Sequence, residues 1–208
     1  MKILVFDTET TGLNPTEDHI VEFGCVIFNE HGENIYEYND LVNTKIRMDK
    51  SVVAIHGISN AMLTERGRKW SFVSKKVEEM LEDADVWCGH NLEFDINFVR
   101  NGLENVGIQM PHKPTIDTLA IARRYIPEAV LRKKNLGELC KWLKVPLEQA
   151  HRACDDARAT GNLLFKLSEE LDISIYEMLE SDSPMMGKFL WGSDPFIGQF
   201  LGNRKDFR

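Results

Sequence analysis

The chain opens on an uninterrupted apolar run over residues 3–6, the pattern of a strand buried on both faces. Thr11-Gly12-Leu13-Asn14-Pro15 breaks that run, with Asn-Pro as a turn signal. A second β-rich run covers residues 20–28 and a third 35–42. The polar, glycine-containing Asn29-Glu30-His31-Gly32-Glu33 between them suits an antiparallel hairpin. The period then changes. Phe72, Val73, Val77, Met80 and Leu81 recur at three- and four-residue steps, giving a helix one apolar face. Residues 85–89 predict a short strand; residues 94–106, 116–125 and 136–143 predict helices. Residues 153–171 give the clearest helical period, with Thr160, Leu164, Leu167 and Leu171 on one side. Strands first and helices alternating later predict an α/β fold, a mixed sheet flanked by helices. Past Asp172 the pattern weakens. Ser181-Asp182-Ser183-Pro184 reads as a linker, and the remaining residues have no clear period.

Composition narrows the class. At 208 residues, 43% hydrophobic and 28% charged, the chain suits one ordinary globular domain with a full core. No stretch is apolar enough to span a bilayer, and Asp7 ends the first apolar run too soon for a signal-peptide core. The expected location is therefore the cytoplasm, or a nucleoid or nucleus. Cys25, Cys88, Cys140 and Cys154 form no C-x-x-C pair and read as reduced, buried small hydrophobes. His151 and Cys154 stand three apart, but without a second pair they make a poor zinc site. A net charge of −8 argues against a coat or repressor that holds nucleic acid by charge alone. It is compatible with a nuclease, whose clustered carboxylates hold cations that then neutralise a phosphate.

Three segments carry candidate chemistry. Asp7 and Glu9, just past the first run, are two residues apart, so on a strand they point the same way. Two carboxylates aimed at one spot repel unless a cation lies between them, and magnesium takes a few carboxylate oxygens plus water and phosphate. Taken alone, a D-x-E is more often a pair of solvated acids. Asp95, in Gly89-His90-Asn91-Leu92-Glu93-Phe94-Asp95, falls near a helix start, where an acid also stabilises the helix itself. His151 and Asp156 are five apart, a turn of about 140° on a regular helix. They converge only if the helix begins after His151. Each segment alone has a bland reading. Together they place acids at a strand end and at helix starts, where α/β sheets build active sites.

At these residues the chain resembles the DnaQ-like family of 3′→5′ exonucleases, the DEDDh group on an RNase H-like fold. Phe6-Asp7-Thr8-Glu9-Thr10-Thr11-Gly12-Leu13, His90-Asn91-Leu92-Glu93-Phe94-Asp95 and Ala150-His151-Arg152-Ala153-Cys154-Asp155-Asp156-Ala157 match the three family motifs in order. Ile55-His56-Gly57-Ile58 and Ile116-Asp117-Thr118-Leu119 match secondary signatures. The resemblance covers roughly residues 1–171, the expected exonuclease domain, and leaves residues 172–208 as an extension of unknown role. It implies a mixed sheet of about five strands, the first three antiparallel.

The resemblance also implies roles. Asp7, Glu9 and Asp156 would bind one Mg²⁺ or Mn²⁺ directly; Asp7 and the scissile phosphate would hold a second, with Asp95 reaching it through water. His151 would be the general base. Thr8 and Thr10 would grip the terminal 3′-hydroxyl, Leu13 would wedge between the last two bases, and His56, Asn91 and Phe94 would line the terminal-nucleotide pocket. For Leu13 and Phe94, core packing stands as an equal alternative. The expected partner is a single-stranded or frayed 3′ end of DNA, with a DNA polymerase or clamp as a protein partner in proofreading or repair. The shared motifs leave two rivals open: an RNA 3′→5′ exonuclease, and an idle nucleic-acid-binding or scaffold subunit. Two basic regions, Arg66, Arg68 and Lys69, and Arg123-Arg124 with Arg132-Lys133-Lys134, are candidate guides for a strand or plain solvated faces. Phe189-Leu190-Trp191 and Phe196-Ile197-Gly198-Gln199-Phe200-Leu201 are expected to pack back on the domain or to dock a partner.

Overall fold

The computed structural model describes residues 1–181. Its five strands, β1 (Lys2–Thr10), β2 (Ile20–Asn29), β3 (Asn34–Leu41), β4 (Val86–Gly89) and β5 (Thr115–Asp117), form one sheet in the order β3-β2-β1-β4-β5. β1, β2 and β3 pair antiparallel; β4 and β5 join on the other side of β1 as parallel strands. The helices are α1 (Lys50–His56), α2 (Asn60–Arg66), α3 (Trp70–Asp83), α4 (Leu92–Glu104), α5 (Thr118–Tyr125), α6 (Leu136–Leu143), α7 (Ala153–Leu171) and α8 (Ile175–Ser181). No helix among the described residues is long and apolar enough to cross a membrane.

Strand alternation divides the interior into two cores. Ile3 and Val5 of β1 with Val26 and Phe28 of β2 face the layer of α5, α6, α7 and α8. Leu4 and Phe6 with Phe23, Cys25 and Ile27 face α3 and α4. Both faces of β1 are covered, so the opening run is apolar without alternation. α7 lies almost flush on the sheet. A Cβ at Gly24 would fall 2.1 Å from Cys154 N, and one at Gly161 would fall 2.0 Å from a ring carbon of Phe28. The core continues past residue 171, since Ile175 and Met178 of α8 are buried in it.

Several boundaries differ from the pattern reading. β1 runs through the acidic motif to Thr10, because β2 pairs with it along the whole length; Asp7 and Glu9 therefore sit in the strand, not past it. Residues 116 and 117 belong to β5, too short for a period to show, and α5 starts only at Thr118. α1 and α2 fall where the sequence pattern predicts no helix. Their one buried residue each, His56 and Leu63, gives no apolar stripe to see. Beyond Ser181 the proposed linker and both aromatic clusters lie outside the described residues.

Candidate active site

β1 outruns its parallel neighbour. Its pairing with β4 stops at Val5–Cys88, while its pairing with β2 continues to Thr10. Beyond β4 the chain turns through Asn91, in the left-handed region at φ 70°, into α4. This opens a crevice at the end of β1, where the sheet's chain order reverses. Three segments project acids into it.

Asp7 and Glu9 alternate with Thr8 and Thr10 along β1, on the α7 side of the sheet. Asp95 enters from the first turn of α4. Its Oδ1 accepts the Thr8 backbone N–H at 2.8 Å and the Thr8 hydroxyl at 2.7 Å. The strand donor left unpaired by the end of β4 is thereby satisfied. Asp156 enters from the first turn of α7, whose helix begins two residues after His151, as convergence of the pair requires. The His151 backbone N–H donates to Asp156 Oδ2 at 3.0 Å, and His151 itself sits at φ 65°, in the left-handed region that costs a non-glycine residue about 1–3 kcal/mol. Candidate ligand atoms of Glu9, His151 and Asp156 lie within 4.8 Å of one another.

The electrostatics are those of crowded anions. Burial, then Asp95, Asp156 and Glu9, raise the Asp7 carboxyl well above the ordinary range. Burial, then Asp156, Glu22 and Asp95, push Glu9 up to about 8. Burial raises Asp95 to about 7 against the hydrogen bonds from Thr8, and Asp156 to about 6 against His151. Asp156 Oδ1 is buried with no hydrogen-bond partner. Buried carboxyls whose ionisation is opposed by burial and, at Asp7 and Glu9, by neighbouring acids, one of the group with an orphaned oxygen, fit a divalent cation that prefers oxygen ligands. Cys154 is not part of the cluster; its Sγ lies near Cys25 O and the Arg158 guanidinium.

The other candidates differ in burial and in partners. Thr8 is buried and committed to Asp95; Thr10 is buried with its hydroxyl donating to Gly12 O at 2.6 Å. Leu13 is 84% exposed, which removes core packing as its role. It is carried by a loop in which Thr11 Oγ1 and Asn14 N both donate to Asp18. Phe94 is half-buried, its ring 4.8 Å from that of Phe98, so it contributes partly to packing. Asn91 is exposed and its N–H donates to Asp117 Oδ1. His56 ends α1 and is buried. Its Nδ1 accepts the Ile58 N–H at 3.0 Å, so the neutral ring carries its proton on Nε2, and Nε2 has no partner. Burial lowers the His56 pKa. In the first basic region, Arg68 is tied to Asp40 and lies over the Phe72 ring.

One charged residue was overlooked in the sequence. Glu22 of β2 is the cross-strand partner of Glu9 and is fully buried. Its Oε1 accepts from Arg152 Nη2 at 2.6 Å and Asn39 Nδ2 at 3.0 Å; its Oε2 accepts from Arg152 Nε at 3.1 Å and the Ala153 N–H at 3.0 Å. The signal was available: an acid inside the otherwise apolar run Ile20-Val21-Glu22-Phe23-Gly24-Cys25 needs a partner.

Residues 4–164 match the RNase T family model, described as an exonuclease. The chain is 34% identical over 174 residues to the PolC-type DNA polymerase III of Oceanobacillus iheyensis, covering 81% of this chain and 11% of that protein. It is 33% identical over 185 residues to the Bacillus cereus counterpart, covering 89% and 12%. The chain thus spans about a tenth of the length of these polymerases. Among solved structures, E. coli exonuclease I in complex with a dA16 oligonucleotide has a TM-score of 0.74 at 17% identity, over 86% of this chain and 42% of that one. Exonuclease X in complex with 5′ overhanging duplex DNA has a TM-score of 0.67 at 24% identity, over 86% and 97%. At such identities the likeness speaks to the fold, which is the RNase H-like one.

Proposed function

The chain belongs to the RNase T family of DnaQ-like 3′→5′ exonucleases, and from that premise we propose that it removes nucleotides singly from the 3′ end of DNA, releasing 5′-monophosphates. The observation that carries this reading is the convergence of Asp7, Glu9, Asp95 and Asp156 beside His151, with all four carboxyls raised by burial and those of Asp7 and Glu9 raised further by the neighbouring acids.

Asp7, Glu9 and Asp156 would hold one Mg²⁺ or Mn²⁺, and Asp7 with the scissile phosphate a second, with Asp95 acting through water. Bound there, the ions would make hydroxide available at neutral pH and offset charge on the leaving 3′ oxygen. His151 takes the proton of the attacking water. Its exposed ring is set over the crevice by the constrained turn, beside the Asp156 carboxylate. Exposed Leu13 stacks against a base, a contact that every base offers and that gives little sequence preference. The unpartnered His56 Nε2–H, with Thr8, Thr10, Asn91 and Phe94, lines the place of the terminal nucleotide.

DNA is favoured over RNA because the relatives are named as DNA polymerases and the solved neighbours hold DNA. In those relatives the matching region is one part of a much longer polymerase, which supports a polymerase or clamp as partner of this chain. Residues 1–171 would form the exonuclease unit and residues 172–208 an extension. The test is hydrolysis of matched 3′-end-labelled DNA and RNA oligomers with Mg²⁺, Mn²⁺ or chelator. Stepwise shortening of DNA with either ion, and none with chelator, is expected. Preferred cutting of RNA would replace DNA by RNA as substrate. Binding without hydrolysis would leave the idle-subunit reading.

A further inference from the structure

We propose that Glu22 is a positioning residue: through Arg152 and the Ala153 N–H it fixes the turn that delivers His151 and Asp156 to the crevice. The proposal rests on the exonuclease reading above and adds to it a residue outside the three motifs.

Three hydrogen bonds join Glu22 to the start of α7. The Arg152 guanidinium meets Glu22 with two nitrogens on two oxygens, a geometry that restrains direction as well as distance. The Ala153 N–H, a helix-start donor with no intrahelical acceptor, ends on the same carboxylate at 3.0 Å. The Arg152 side chain provides no cap of its own for α7, so Glu22 supplies from the neighbouring strand what a capping side chain would. Gly24, two residues along the same face of β2, leaves the space into which Ala153 and Cys154 settle. His151 immediately precedes this anchor, and Asp156 is tied back to it by His151 N–Oδ2 and by its own N–H on Arg152 O. The turn is thus clamped on one side by Glu22 and closed on the other by Asp156. Because His151 holds φ 65°, an unclamped turn would relax toward an ordinary backbone and carry the ring away. Glu22 is itself excluded as a cation ligand. Both its oxygens are already occupied by donors, and none of its surface is exposed.

The experiment compares wild type, Glu22→Gln, Arg152→Gln and the double variant, with Asp7→Ala as a control. Folding is checked by melting. Single-turnover hydrolysis of a 3′-labelled DNA oligomer and Mn²⁺ binding without DNA are then measured. Each single variant is expected to lose roughly 10–100-fold in kcat, the range for residues that orient a metal-binding group. KM for DNA should stay near wild type, and Mn²⁺ should bind more weakly. The double variant should be no slower than the worse single one, since both break one clamp. It leaves no buried charge unpaired, so it remains informative if a single variant unfolds. Wild-type kcat and Mn²⁺ affinity in a folded Arg152→Gln or double variant would overturn the proposal. So would a loss confined to KM, which would make Arg152 a phosphate contact. Full activity in Asp7→Ala would instead sink the exonuclease site itself, whatever the Glu22 variants do.

Discussion

Glu9 and Glu22 face each other across β1 and β2 and ionise in opposite senses. Glu9 is raised to about 8 by burial and neighbouring acids. Glu22 is fully buried, yet its carboxyl lies below the usual glutamate range because Arg152, Asn39 and the Ala153 N–H donate to it. Burial alone therefore does not decide the state of an acid here; the supply of donors does. On one side of the pair buried carboxylate oxygen is left over, Asp156 Oδ1 having no hydrogen-bond partner. On the other, one carboxylate is saturated. The first arrangement calls for a cation from outside, and the second anchors the frame that holds the first.

The sharpest break of this contrast is Asp7→Ala. With the proposed ligand of both ions gone, hydrolysis should fall by about 10³-fold or more, several kcal/mol of lost charge stabilisation at about 1.4 kcal/mol per tenfold. The same change removes one member of a repelling cluster, so metal-free protein should melt no lower than wild type. A variant that is inactive because it is unfolded would contradict the contrast, and one that still cuts DNA would remove Asp7 from the site.

Next in size is the effect of cation and pH on stability. The folded-state values of Glu9, Asp95 and Asp156, about 8, 7 and 6, lie above the ordinary carboxylate values near 4. Protons thus bind the folded state more tightly than the unfolded one. This contribution favours folding fully below about pH 4 and is lost as pH rises through about 6 to 8. Without cations, melting temperature should therefore decline from pH 5 to pH 8. Mg²⁺ or Mn²⁺ should restore it, and more so at pH 8. At a concentration ~100 times its dissociation constant a bound ion adds about 2.7 kcal/mol, roughly 5–11 °C for a chain of this size. Melting curves with chelator and with each ion at both pH values test this. A flat or rising metal-free profile would mean the acids do not crowd one another.

Gly24→Ala comes third. The added methyl would meet the backbone at Cys154 N and Ala153 C, 2.1 and 2.4 Å away, and backbone cannot swing aside as a side-chain tip can. A loss of about 1–3 kcal/mol is expected from such overpacking, read by urea denaturation. The loss should come with impaired hydrolysis, because the displaced segment is the start of α7. An equally large clash in Gly161→Ala, against the Phe28 ring, lies further along the helix and should destabilise while sparing kcat in the folded fraction.

What the sequence disclosed follows the same division. Asp7, Glu9, Asp95, His151 and Asp156 were legible because the motifs join spacing to element type. Two residues on a strand share a face, and a five-residue step demands a helix start between them. β1 and β2 were legible as continuous apolar runs buried on both faces, and α3, α4 and α7 because each buries one periodic stripe. β5 was absorbed into the following helix because three residues show no period, and α1 and α2 were missed because they bury almost nothing apolar. Glu22 escaped for a different reason. An acid inside an apolar run signals that a partner is needed but not which one; Arg152 lies 130 residues away, and the pairing is made only when α7 settles on β2.

The smallest expected effect compares two clamps on one helix. Arg158, further along α7, also meets a glutamate with two nitrogens, Nε on Glu37 Oε1 at 2.7 Å and Nη2 on Oε2 at 2.8 Å, and pairs with Asp155 as well. Its geometry rivals that of Arg152–Glu22, but the Glu37 side chain is 36% exposed where that of Glu22 is 0%. Water already screens the outer pair and solvates either partner when the other is removed. Glu37→Ala should thus cost only about 0–1 kcal/mol, less at high salt, with kcat unchanged. Removing Glu22 leaves the buried Ala153 N–H without an acceptor, while Arg152, its side chain 32% exposed, can be solvated. A buried donor left unsatisfied costs about 1–3 kcal/mol, and that cost should be nearly insensitive to salt. Urea titrations of both variants at low and high salt separate the two cases. Equal losses would show that bidentate geometry, rather than burial beside the acids, sets the worth of these pairs.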